Sequence, residues 1–106
     1  MNMNAMMAQA KKMQAEMERV QSELENKVIT EESGGGMVKA TANGKKSIVS
    51  IEIDNEIVES GDKEMIEDLV VAAVNKALDA AGKMAEDEMA NVTKGMIPPG
   101  MNIPGF

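Results

Sequence analysis

The residues best placed for chemistry are a Gly-Lys-Lys-Ser run at Gly44–Ser47, a glycine triplet at Gly34–Gly36, and acidic clusters at Glu31–Glu32 and Glu86–Glu88. The first imitates the end of a phosphate-binding loop. That motif, however, requires a glycine where Lys39 stands and a long helix immediately afterwards. The triplet reads as a flexible turn, although a glycine run also lets backbone approach a phosphate. The acidic clusters lack the interleaved glycine and spacing of a calcium loop and read as solvated faces. With no histidine or cysteine in 106 residues, proton transfer falls to Asp, Glu or Lys, and nucleophilic attack to Ser, Thr or Lys. No spacing singles out such a group. The sequence therefore points away from an enzyme and names no catalytic residue, metal or cofactor.

The remaining charged chemistry is electrostatic. The formal net charge is −7, which as a whole-molecule average opposes attraction to nucleic acid or an anionic membrane. The acidity is local. Residues 52–68 carry Glu52, Asp54, Glu56, Glu59, Asp62, Glu64, Glu67 and Asp68 against Lys63 alone, whereas Lys11, Lys12 and Arg19 outnumber Glu16 and Glu18 in residues 1–22. Lys39, Lys45 and Lys46 form a second basic segment with no acid among them. The acidic run suits a strand end, a turn and a helix start, where carboxylates meet the positive end of the helix dipole.

These residues must be positioned by few elements. One hundred and six residues fit a single domain. With one Phe, no Trp, no Tyr and 12 Met, its interior must be filled by Met, Val, Ile, Leu and Ala. Met3, Met6, Ala10, Met13, Met17, Val20 and Leu24 are spaced alternately three and four apart, the narrow apolar seam of an amphipathic helix. Met7 widens it. Such a stripe is a packing surface that wants a partner; a copper site of thioethers alone has no Cys or His to support it.

Val28 and Thr30 start a strand region. Val38, Ala40 and Ala42 alternate with polar residues, Asn43 and Gly44 fit a two-residue hairpin turn, and Val49, Ile51 and Ile53 return as a buried face. Ser60 or Asp62 caps a second long helix, to about residue 94, whose apolar face runs from Met65 to Leu78 and thins beyond Gly82. Gly95 and the prolines at 98, 99 and 104 end it, so residues 1–95 form the domain and 96–106 a flexible Pro/Gly-rich tail. No stretch has the roughly 18 apolar residues needed to span a bilayer, and no signal peptide is visible. The expectation is a cytosolic protein. A helix of about 50 Å over strands of about 26 Å must overhang the sheet and expose its seam, which predicts an oligomer, most economically a homodimer.

The combination of "QAKKMQAEMERVQSEL", "ESGGGMVKATANGKKSIVSIEID", "DKEMIEDLVVAAVNKAL" and "GMIPPGMNIPGF" resembles the YbaB/EbfC family of bacterial nucleoid-associated proteins over essentially the full length. The resemblance implies an α+β fold: a long N-terminal helix, a three-stranded antiparallel sheet and a long C-terminal helix, paired as a tweezer-like homodimer. It implies binding of double-stranded DNA with altered DNA conformation, a cytoplasmic, nucleoid-associated location, and roles in nucleoid organisation, gene expression and DNA protection. It supplies no catalytic site, cofactor, membrane or small-molecule substrate. The family's DNA contacts lie on the helical arms, which matches Lys11, Lys12 and Arg19 on the first helix and Lys83 and Lys94 on the second. The competing expectation is a protein interaction module whose Met-rich arms grip another protein's amphipathic helix.

Overall fold

The computed structural model describes residues 2–96; the expected tail lies outside them, apart from Met96. Helix α1 (Met3–Asn26) leads into strands β1 (Val28–Ser33), β2 (Val38–Asn43) and β3 (Ile48–Ile53), a short helix α2 (Asn55–Ser60) and the long helix α3 (Lys63–Met96). The strands form one antiparallel sheet in the order β1-β2-β3. The expected architecture is present, with α2 as an unforeseen addition. Asp54 nucleates α2 by accepting a hydrogen bond from the Glu56 amide at 2.8 Å. Gly61, at φ 72°, ends it in the left-handed conformation. Asp62 then caps α3, accepting from the Met65 amide at 3.1 Å.

The sheet has one apolar and one polar face. Val38, Ala40 and Ala42 of β2 are fully buried against Ala73, Ala77 and Ala81 of α3. The four-residue spacing of these alanines puts them on one stripe, and their small side chains let helix and sheet approach closely. Leu69, Val70, Val74 and Leu78 flank the contact, half-buried. On the opposite face Thr30 and Thr41 share a hydroxyl hydrogen bond of 2.7 Å, and Glu32, Lys39 and Glu52 stand in register across the three strands. In β1 the face turned toward α3 carries Ile29, Glu31 and Ser33, with Glu31 half-buried opposite Ala40. Ser33 is 7% exposed and its hydroxyl donates to the Leu69 carbonyl at 2.6 Å, tying the end of β1 to α3.

Two expectations at the second hairpin change. The reversal after Asn43 uses the three residues Gly44–Lys46, closed by the Asn43 amide donating to the Ser47 carbonyl at 2.9 Å. The positive φ falls on Lys46, at 62°, and not on Gly44, the pattern of a three-residue hairpin with a left-handed last position. Gly44 is needed for proximity: a Cβ there would lie 2.7 Å from the Leu24 side chain and carbonyl. Its amide donates to the carbonyls of Leu24 (2.8 Å) and Lys27 (3.0 Å), fastening the end of α1 to the hairpin.

The expected burial of Val49, Ile51 and Ile53 does not occur. Val49 is the extra residue of a bulge opposite Thr41–Ala42 and is 57% exposed. Ile51 and Ile53 point to the apolar face, but α3 crosses over β1 and β2 and scarcely reaches β3.

Candidate nucleic-acid interface

Beyond the sheet, α1 and α3 run together as an arm. The chain extends 69 × 23 × 15 Å with a radius of gyration of 19.8 Å, against about 13 Å for a compact domain of this size. The predicted overhang is thus present. α1 is an arm because its seam is satisfied only near the base: Val20 and Leu24 are buried, while Met3, Met6 and Met7 are 76%, 56% and 53% exposed. Asn2 caps its outer end by accepting from the Ala5 amide at 2.8 Å. Lys27, just past α1, pairs with Glu88 of α3 at 2.7 Å and sets the antiparallel alignment of the two helices.

Each sequence-predicted cation has a definite place on this arm. Lys11, Lys12, Lys83 and Lys94 are exposed and make no ion pair among the described residues. Lys12 and Arg19 line a groove of about 350 Å³ between the helices, closed on the other side by Glu88, Asn91 and Val92. Arg19 is engaged differently from the lysines. Its guanidinium donates to Glu16 at 2.8 Å and to Glu23 at 2.7 Å, one turn away on either side. The Glu16 hydrogen bond raises Arg19 above its ordinary pKa, and the same bond holds the Glu16 carboxyl below its ordinary 4.5. Two carboxylates therefore compete with a ligand phosphate for this cation.

The second basic segment is partly committed to structure. Lys45 lies 3.6 Å from Glu25, and the Lys46 side chain lies over Gly82 of α3, within 2.7 Å of where a Cβ would stand. Lys39 is exposed on the polar face of the sheet. Its alternation with buried Val38 and Ala40 was legible; that it flanks Glu32 and Glu52 required the register. Among the described residues no three acidic side chains converge to hold a metal ion, and no helix is long and apolar enough to cross a membrane.

Comparison with known proteins places this arm in a family. The model of the YbaB/EbfC DNA-binding family matches residues 1–96. The chain belongs to the YbaB/EbfC DNA-binding family. It is 50% identical over 105 residues to a nucleoid-associated protein of Thermoanaerobacter pseudethanolicus, covering 99% of this chain and 90% of that one. It is 51% identical, with the same coverage, to a nucleoid-associated protein of Caldanaerobacter subterraneus subsp. tengcongensis. A third, from Chlorobium chlorochromatii, is 51% identical over 92% of this chain and 86% of its own length. The crystal structure of an uncharacterized protein from Helicobacter pylori superposes with a TM-score of 0.71 at 26% identity, over 92% of this chain and 99% of that chain. YbaB/EbfC membership fixes a DNA-binding rather than an enzymatic family, and the sequence resemblance is confirmed.

Proposed function

We propose that this YbaB/EbfC chain is a nucleoid-associated, cytoplasmic protein that binds duplex DNA as a homodimer, mainly through phosphate contacts, and alters DNA conformation. It would thereby serve nucleoid organisation, gene expression and DNA protection. The family match over residues 1–96 carries the reading. The arm supports it: Lys11, Lys12, Lys83 and Lys94 are unpaired among the described residues and exposed, the state in which cations release counterions from a phosphate backbone. No aromatic side chain stands on α1 or α3, so base stacking contributes nothing from these helices. Glu16, Glu18, Glu86, Asp87 and Glu88 on the same arm oppose phosphate, which favours modest affinity and strong dependence on salt. Arg19 contributes less than the lysines, because two carboxylates share its charge.

The test is a Lys11→Glu/Lys12→Glu double variant, checked for unchanged mass and helicity. Loss of binding to a fluorescent duplex, with a flatter salt dependence, supports the arm as the contact; unchanged binding removes it. The exposed methionines Met3, Met6 and Met7 favour the second reading, a module gripping another protein's helix. That reading predicts a stoichiometric protein partner and no salt-sensitive DNA binding.

A further inference from the structure

We propose that Met3, Met6 and Met7, at the free end of α1, form an apolar wedge that enters between stacked base pairs and kinks the duplex held by the arm. The inference rests on the DNA-binding reading above and names the side chains through which the conformation of DNA would change.

The methionines at the tip have little of their own chain to cover. The groove between the helices sets Lys12 and Glu16 of α1 across from Asn91 and Val92 of α3. From there α3 continues four residues to Met96, about 6 Å, whereas α1 continues nine residues back from Lys12 to Met3, about 14 Å. The outermost turns of α1 therefore project past the described end of α3. Met3, Met6 and Met7 are each more than half exposed, while Met13 is half-buried and Val20 and Leu24, further along the same seam, are buried. The three fall within about 100° of one another around the helix. Asn2 caps this end, so the side chains stand on a helical rod and not on a loop.

The surroundings of the tip match a duplex. No charged side chain occurs in residues 1–10, and the first acid is Glu16. Lys11 stands one turn behind Met7, about 6 Å along the helix and about 40° around it, and Lys12 follows; both are exposed. An apolar point backed by cations meets a base step with the methionines and the adjoining phosphates with the lysines. The acidic run of residues 52–68 is remote, with Asp68 about 36 Å along α3 from Val92.

Methionine suits the insertion. Its unbranched thioether is polarizable, makes favourable contacts with aromatic rings, and is among the side chains that pry base steps apart in architectural proteins. Neither α1 nor α3 has an aromatic residue to act in its place. A duplex engages the methionines and the lysines together, whereas an apolar partner helix would engage the methionines alone.

The experiment uses the full chain and a set of short duplexes, each with dyes at its ends and, at one TA step, a fluorescent base analogue that brightens when unstacked. Such steps are the easily kinked ones. Wild type should brighten the analogue severalfold at one or more steps and shorten the distance between the dyes, by a kink of about 20–90°. Met3→Gln/Met6→Gln/Met7→Gln should fold, because the positions are exposed and helix propensity barely changes. It should keep its affinity within a few-fold, keep its salt dependence, and lose both signals. Met3→Leu/Met6→Leu/Met7→Leu, which keeps an apolar tip, should retain them. A Gln variant that unstacks and bends DNA as wild type does overturns the inference, as does a Leu variant as inert as the Gln variant. Loss of binding together with its salt dependence in the Gln variant makes the methionines a general contact and overturns the wedge. Wild type of greater mass than the Gln variant in the absence of DNA shows that another copy covers the tip, and also overturns it. Wild type that binds without unstacking any step overturns the wedge alone; wild type that leaves the duplex unbound at low salt overturns the DNA-binding reading itself.

Discussion

Replacing Gly44 with alanine should loosen the arm at its base. The new methyl carbon would lie 2.7 Å from the Leu24 side chain and from the Leu24 carbonyl oxygen. A flexible side chain can yield, but a helix carbonyl can move only with its helix. The displacement strains both hydrogen bonds from the Gly44 amide, to Leu24 and Lys27, and uncovers Leu24, which is 4% exposed. Overpacking of this kind costs about 1–3 kcal/mol, and a backbone obstacle places the loss at about 2–3. An unfolding entropy of about 2.1 cal/mol/K per residue gives ~0.22 kcal/mol/K for this chain, so the midpoint should fall by about 9–14 °C. Thermal unfolding followed by circular dichroism at fixed protein concentration measures this, since self-association makes the midpoint concentration-dependent. Amide hydrogen exchange should show lost protection in α1 before β2. A midpoint within about 2 °C of wild type, with α1 protection unchanged, would refute the claim that Gly44 fastens the arm.

Ser33→Ala removes the hydroxyl bond to the Leu69 carbonyl and should cost about 1 kcal/mol, or about 4–5 °C in the same melt; no change would show that Ser33 does not anchor β1 to α3. Glu16→Gln/Glu23→Gln releases Arg19, and the slope of log affinity against log salt should steepen by about 0.9 per protomer as it gains a phosphate; an unaltered slope would show that Arg19 makes no contact even when free. Because Arg19 holds the Glu16 carboxyl below 4.5, the Glu16–Arg19 contribution is complete above that pH and disappears as pH falls through the lowered value. An NMR titration should find the Glu16 midpoint below 4.5 in wild type and restored in Arg19→Gln; equal midpoints would dismiss the pairing in solution.

The long elements were legible because their signals are local. The three-four spacing from Met3 to Leu24 and the face beginning at Met65 mark helices whatever they pack against. Asn43 marked a reversal, but the turn's length depended on its side chain accepting from the Lys45 and Ser47 amides, at 2.9 and 3.2 Å. Alternation in β3 located its apolar side but could not say that α3 would leave that side uncovered, because the crossing of helix over sheet is a tertiary choice. The short α2 hid inside the acidic run, where Asp54 reads equally well as a strand end or a cap. At the arm, residue type identified five cations. Only the geometry separated Arg19, held between Glu16 and Glu23, from the exposed lysines Lys11, Lys12, Lys83 and Lys94.

The proposed grip of the arms on duplex DNA is on its phosphates. Its most direct test is the affinity of the wild-type protein for a fluorescent duplex across a salt series, with mass measured in the same buffers. Phosphate contact by paired arms gives a dimer whose log affinity falls linearly with log salt, by roughly 0.9 for each phosphate engaged. A folded dimer that leaves the duplex unbound at low salt, or binds it with no dependence on salt, would contradict it.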